Sequence, residues 1–318
     1  MAGCVDTFGI TDIGPDRDRN DDQFLIADLK KAVVLHQTSL SYDDDTLLMG
    51  SSQAKVFILS DGASDGNTGE RSSLVAIQSV VQSLLNSTHW LRSAEDTTEA
   101  TFLEDLAVAF DHSQQKIRQF SATDATECKC AGTLTIAKLI WPRLYVIHTG
   151  SASTFLYRAG ELMGLTNPQS SKTMNTHKDD SAAVDFTSVS VPRDSADNTV
   201  SDCGPSVRRL TLQLNDKLLL CTDGLTSCLS DAAMAEFLAQ DRSSEETCYD
   251  LIRAANQAGG ADNMTVILAQ FMDGSEQRAR HLAEQLANPE PDTNENKEAL
   301  NNYTTPAAES DLASPADF

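Results

Sequence analysis

Three of the most apolar runs in the chain each meet an aspartate at one end. Residues 56–60 (VFILS) stop at Asp61-Gly62, residues 218–222 (LLLCT) stop at Asp223-Gly224, and residues 264–271 (MTVILAQF) begin directly after Asp262-Asn263. Short apolar runs bounded by turn dipeptides read as buried strands. A buried strand holds its ends rigidly, so carboxylates placed there can converge on one point. An acidic side chain near a core is costly unless something cationic neutralises it, and a hard divalent ion with oxygen ligands does so. Mg2+ or Mn2+ fits this chemistry. A zinc site would want several His or Cys ligands, and only Cys221 is near in sequence. One Asp-Gly alone is usually a plain turn; three aspartates at equivalent places form a constellation. The glycine carries a further reading, since a residue without Cβ lets its carbonyl approach an ion closely.

The rest of the pattern mixes strands and helices. Short β-like runs at 8–11, 24–27 and 32–35 open the chain, and a polar insert with Asp43, Asp44 and Asp45 reads as a solvated loop. From Glu70 the period changes. Leu74, Ile77, Val81 and Leu84 recur on one helical face, and Phe102, Leu106, Phe110 and Ile117 mark the buried stripe of a second helix. Strands at 133–140, 144–149 and 154–157 follow, with turns at Trp141-Pro142-Arg143 and Gly150 short enough to join antiparallel neighbours. Residues 166–206 are polar and are expected to form a long flap. A strand at 208–213, a turn at Asn215-Asp216 and the LLLCT strand come next. Ser230 then caps a helix burying Met234, Phe237 and Leu238, and a second helix carries Tyr249, Ile252 and Ala255. Strands in hairpins and helices in pairs predict an α+β domain of antiparallel sheets covered by helices. The expected organisation is one domain over 1–273 and an acidic, disordered tail over 274–318.

At 318 residues and 40% apolar content the chain can bury a substantial core. Its formal charge of -23, from 47 acidic against 24 basic residues, repels phosphate backbones and anionic headgroups, so neither nucleic acid nor a membrane surface is an expected partner. Cysteines stand at 4, 128, 130, 203, 221, 228 and 248, an odd number without framework spacing, which points to reduced thiols and a cytoplasmic location. Cys128 and Cys130 make only a C-x-C pair and read as incidental thiols. No positively charged start leads into an apolar run, and no stretch of 18 apolar residues occurs, so neither export nor a membrane span is expected. His148, inside an apolar strand, reads as a satisfied core histidine.

Taken in order, the motifs resemble those of the metal-dependent Ser/Thr protein phosphatases of type 2C, the PPM family. Arg17-Asp-Arg-Asn20-Asp21-Asp22 is similar to the family's R-x-x-N-x-D, and Asp61-Gly62 with Gly69-Glu70 to its D-G-x-G-G and G-E. Gly132-Thr133 stands where the family has G-T-T, Thr222-Asp223-Gly224-Leu225 resembles S-D-G-L, and Gly259-Gly260-Ala-Asp262-Asn263 resembles G-G-x-D-N. The resemblance runs from residue 8 to about 271. It implies a four-layer αββα sandwich of two mainly antiparallel sheets flanked by pairs of helices. It also implies two Mn2+ or Mg2+ ions, with Asp61 bridging them, Asp223 and Asp262 completing one and the Gly62 carbonyl on the other. Asp22, and with it Asp21, would hold metal-bound waters from behind. Arg17 matches the position that grips the phosphate, where a bidentate guanidinium orients the ester. The implied reaction is hydrolysis of phosphoserine or phosphothreonine by a water shared between two ions about 4 Å apart. Phosphorylated proteins, the targets of a Ser/Thr kinase, are the implied partners.

Two departures set limits. The D-G-x-G-G stretch reads Asp61-Gly62-Ala63-Ser64-Asp65, and the family's G-D-S-R reads Gly150-Ser151-Ala152-Ser153, so the aspartate that holds a third ion in many members is a serine. A serine is a poor substitute for a carboxylate at Mg2+, which places a third ion in doubt. These departures keep open an alternative from another class, a weak or inactive pseudophosphatase acting as a regulatory binding module. A hydrolase of small phosphoesters is a third option.

Overall fold

The computed structural model describes residues 4–34, 47–62, 69–86, 107–117, 119, 133–167, 187–188 and 205–273. These belong to one compact unit, Met1–Gly274. The Asp43–Asp45 insert, Ala63 to Asp65, Phe102, Leu106, the Cys128–Cys130 pair and the acidic tail lie outside the described residues, as does most of the expected flap. Eleven described strands run β1 (Cys4–Asp12), β2 (Asp22–Val34), β3 (Leu47–Asp61), β4 (Thr133–Ile140), β5 (Arg143–Thr149), β6 (Ser153–Arg158), β7 (Glu161–Gly164), β8 (Thr187–Ser188), β9 (Ser206–Thr211), β10 (Lys217–Cys221) and β11 (Met264–Met272). The helices are α1 (Gly69–Asn86), α2 over 107–117, α3 (Asp223–Cys228), α4 (Asp231–Leu238) and α5 (Ser244–Gln257).

Two sheets form, one in the order β1-β11-β10-β6-β7 and the other in the order β2-β3-β4-β5-β9-β8. Every described pairing is antiparallel. Because successive side chains of a strand point to opposite faces, a strand covered on both sides reads as a nearly continuous apolar run. β11 is the example, with all nine residues buried. Its Ile267, Ala269 and Phe271 pack between the sheets with Phe57, Leu59, Val146 and Leu220, while Val266 and Leu268 pack outward with Leu251, Ile252 and Ala255 of α5. On the other sheet, Val56, Ile58 and Ile136 face Ile77, Val80 and Leu84 of α1 and Phe110 and Ile117 of α2. Helices, two sheets and helices therefore stack as four layers. The interior is filled to the point that truncating a wholly buried ring such as Phe57 should cost about 3–5 kcal/mol.

The structure revises several sequence expectations. The run at 24–27 and residues 32–34 of the next are parts of one strand, β2, whose pairing with β3 slips between Leu29 and Ala32, and Leu35 lies outside the described residues. The buried stripe of α1 is Ser73, Ala76, Ile77, Val80 and Leu84, and Leu74 is exposed. The helix lies close to its sheet on small residues, and a back-bond from the Ser73 hydroxyl to the Glu70 carbonyl satisfies its buried oxygen. Tyr249 is likewise exposed, its ring tilted against Phe8. Ser230 caps α4 as expected, accepting from the Ala233 amide. The hairpin expected at Gly150 is absent. β5 pairs with β4 and β9, whereas β6 pairs with β10 and β7, so the Gly150 turn carries the chain from one sheet to the other.

Candidate active site

Strand parity builds the site. On β3 the residues facing the other sheet are odd, Phe57 and Leu59, and the next in that series is Asp61. On β4 the same face continues from Leu139 and Ala137 to Thr135 and Thr133, and on β5 from Leu144 and Val146 to His148. Antiparallel register sets Asp22, Asp61 and Thr133 side by side across three strands. The second sheet does the same. Leu218 and Leu220 of β10 lead to Thr222, and Phe271, Ala269 and Ile267 of β11 lead back to Thr265. At one end of the sandwich the inter-sheet layer thus turns from apolar to polar.

Asp22, only 1% exposed, is the centre of this layer. Its Oδ2 accepts from the hydroxyls of Thr222 at 2.9 Å and Thr265 at 2.8 Å. The Thr265 amide donates to the Thr222 hydroxyl oxygen at 2.9 Å. With the Thr265 proton given to Asp22, Thr11 must donate across its 2.7 Å contact with Thr265, and Asn20 Nδ2 donates to Thr11. The motif reading of the sequence did not assign roles to Thr11 and Thr265. Their inward parity was visible, but their destination lies more than two hundred residues away.

The carboxylates repel one another. Burial pushes Asp61 up to about 8, and the charges of Asp22, Asp223 and Asp262 push in the same direction. Asp22 rises to about 6 through burial, held back by the hydroxyls of Thr265 and Thr222, and Asp61 and Asp22 share a hydrogen bond. Asp223, the first residue of α3, is also raised, chiefly by burial. Ser151 touches Asp61, its hydroxyl donating to Oδ2 at 3.3 Å. Asp262 stands at the rim, where Arg17 Nη2 meets its Oδ1 at 2.9 Å with both side chains half exposed. Among the described residues no three acidic, His or Cys side chains are close enough to make a finished cation cage. What the structure provides is a buried, oxygen-only array with excess negative charge, and such a donor set fits a hard divalent cation.

The remaining sequence candidates have clear surroundings. Asp21 Oδ1 accepts from the Glu70 amide at 2.9 Å, at the start of α1, while its own amide donates to Asn263 Oδ1. Asn263 ties the rim together, its Nδ2 donating to the carbonyls of Ile13 and Arg19 at 2.8 Å each. Gly62 is required by space, because a Cβ there would lie 2.3 Å from the Gly69 carbonyl oxygen, and Gly224 meets Asn263 in the same way at 2.0 Å. His148 is a satisfied core histidine. Nε2 donates to the Gly150 carbonyl at 3.1 Å, which leaves Nδ1 to accept from Thr135 at 2.8 Å, and burial lowers its pKa to about 4.

The sequence profile of the protein phosphatase 2C family matches residues 36–288. The chain belongs to this family. The match begins after Arg17, Asp21 and Asp22. The Ser/Thr protein phosphatase PstP of Mycobacterium tuberculosis is 31% identical over 144 residues, 44% of this chain and 27% of that protein. The chain thus spans about a quarter of the length of the curated relatives it matches first. Protein phosphatase PhpP of Streptococcus pneumoniae is 26% identical over 213 residues, 65% of this chain and 83% of the relative. The catalytic domain of PstP, solved with two manganese ions, superposes with a TM-score of 0.56 at 19% identity, covering 85% of this chain and 99% of that one. That likeness extends the family assignment to the fold, a PP2C sandwich.

Proposed function

We propose that this PP2C-family chain is a metal-dependent protein phosphatase that hydrolyses phosphoserine or phosphothreonine in cytoplasmic phosphoproteins, opposing a Ser/Thr kinase. One observation carries the reading: Asp22, Asp61, Asp223 and Asp262, remote in sequence, share one electrostatic neighbourhood at the end of both sheets. The likeness to PstP and PhpP, both protein phosphatases, supports it, as does the PstP catalytic domain with its two manganese ions. No helix among the described residues is long and apolar enough to cross a membrane.

Asp61, Asp223, Asp262 and the Gly62 carbonyl would hold two Mn2+ or Mg2+ ions. Bound there, the ions would acidify water and neutralise phosphate charge. The residues themselves do the rest. Asp22, fixed by two threonine hydroxyls, accepts a hydrogen bond in the interior and keeps its neighbour Asp61 in one orientation. Asp21 acts at one remove, anchoring the start of α1. Arg17, at the rim and pairing with a carboxylate, has a guanidinium shaped to take two oxygens of a phosphate ester. The apolar layer between the sheets backs Asp22 on its inner side.

The test is hydrolysis of a phosphothreonine peptide with and without Mn2+. Activity that requires Mn2+, stops with chelator and is abolished by Asp61→Asn is the expected result. Hydrolysis that persists in chelator would reject the reading. A faster rate on small phosphorylated metabolites than on phosphopeptides would move the substrate class.

A further inference from the structure

The Gly150 turn that switches the chain between sheets also delivers Ser151 to the carboxylates, and the bonds around it have a fixed direction. The Ser151 amide donates to Thr133 Oγ1 at 3.1 Å. Thr133 Oγ1 and Ser151 Oγ lie 3.0 Å apart. Ser151 Oγ gives its proton to Asp61 Oδ2 at 3.3 Å. The proton between the two hydroxyls must therefore come from Thr133. Thr133 takes a hydrogen bond from the serine's backbone and returns one to its side chain, which leaves the serine proton a single direction. Since a carboxylate only accepts, that direction is the one that counts.

The turn is braced from behind. Gly150 has φ +100, and a Cβ on it would lie 2.6 Å from Thr133 Cα. Its carbonyl is held by His148 Nε2, and His148 by Thr135, the residue opposite it on β4. Thr133 is itself opposite Asp61 on β3. One cross-strand brace thus spans the bridge between sheets.

We propose that Ser151 is a positioning residue for the candidate metal centre. Oriented by Thr133, it ties the turn that switches sheets to Asp61 and fixes that carboxylate for cation binding. The inference rests on the metal-centre reading above. It gives the serine a role of its own as a neutral donor to Asp61, where a carboxylate would add a further negative charge.

Calorimetric titration of the metal-free full chain with Mn2+ tests it without an activity assay. Ser151→Ala and Thr133→Val should each weaken Mn2+ binding by about tenfold, the lower end of what groups behind metal ligands contribute. Thr133→Ser, which keeps the hydroxyl, should bind like the unaltered chain. Because Thr133 acts through Ser151, the double variant should lose no more than Ser151→Ala alone. Melting curves of the metal-free variants check that each folds, and Ser151→Cys serves as a near-isosteric substitute if Ser151→Ala does not. Unchanged Mn2+ affinity in Ser151→Ala overturns the proposal, and so does a double variant whose loss is the product of the single losses. An unaltered chain that binds no Mn2+ overturns both this proposal and the metal-centre reading, whereas normal binding that ignores position 151 overturns this proposal alone.

Discussion

The two sheets supply the candidate site in different ways. On the β2-β3-β4 side, Asp22, Asp61 and Thr133 are strand residues in register, fixed by the hydrogen-bond ladder and turned inward by the same alternation that buries Phe57 and Leu59. On the β10-β11 side, the acids sit just beyond the strands: Asp223 opens α3, and Asp262 lies on the exposed approach to β11, paired with Arg17. The first half is preorganised and bears the cost of buried charge. The second stands partly in water, where charge is screened and side chains adjust. A metal centre built this way has one rigid wall and one adaptable wall.

If the rigid wall carries the charge burden, Asp61→Asn should have the largest effect. Mn2+-dependent hydrolysis should fall by more than about a hundredfold, since a direct ligand is worth more than the groups behind it. Metal-free stability should move the opposite way. The folded-state pKa of Asp61, about 8, lies above its ordinary 3.8, so the folded chain holds that proton more tightly than the unfolded one. Its contribution is complete below pH 4 and is lost as pH rises through 8. Asp61→Asn should remove this alkaline decline, raising the metal-free melting temperature near pH 8 by ~5 °C. A variant that melts lower at pH 8 than the unaltered chain would show that the acids are not in conflict.

Next in size are the hydroxyls that hold Asp22. Thr222→Val and Thr265→Val each strip a bond from a buried carboxylate and should cost about 1–3 kcal/mol in urea unfolding. Both bonds end on the same oxygen, so the double variant should lose a different amount from the sum of the singles. The equivalent change on the adaptable wall should cost much less, and equal losses would erase the distinction between the walls.

The acids of both walls were legible as strand ends, since VFILS and LLLCT each stop at Asp-Gly, and parity along VFILSD turns Asp61 toward the face of Phe57 and Leu59. The four layers were foreseeable from the motifs and the helix pairs. The switch at Gly150 was not, because a turn of that length suits a hairpin equally well, and which sheet receives β6 depends on β10, sixty residues later. The short α3 carries too few residues to show a period. The stripe of α1 was misplaced because serines and alanines, which sequence patterns discount, are what let it approach the sheet. By comparison with the family motif Ser151 read only as the missing aspartate of a third ion; its contacts with Thr133 and Asp61 are set by chain crossing and have no local signature.

His148 gives a smaller effect of opposite sign on the same rigid wall. Its folded-state pKa, about 4, is below the ordinary 6.5, so its contribution to stability is present above pH 6.5 and is lost as pH falls through 4. His148→Gln, which can still donate to Gly150, should flatten the decline in stability between those limits while leaving the alkaline decline from Asp61 in place. Persistence of the acid decline in His148→Gln would assign it to another group.

Arg17 should give the smallest stability effect and the sharpest test of the adaptable wall. An ion pair whose partners are both 45% exposed contributes about 0–1 kcal/mol, so Arg17→Ala should leave urea unfolding nearly unchanged. Its consequence should appear in binding. If the guanidinium leaves Asp262 to take a phosphate, the variant should raise KM for a phosphopeptide by about tenfold with a smaller change in kcat, the mark of an interaction already formed with the bound ester. Arg17→Lys, which keeps the charge but not the two-pronged geometry, should recover only part of that loss. A fall in kcat with KM unchanged would place Arg17 against the reacting phosphate rather than at its entry. The rim would then be as finely set as the strands behind it, and the division between rigid and adaptable walls would end at Asp223.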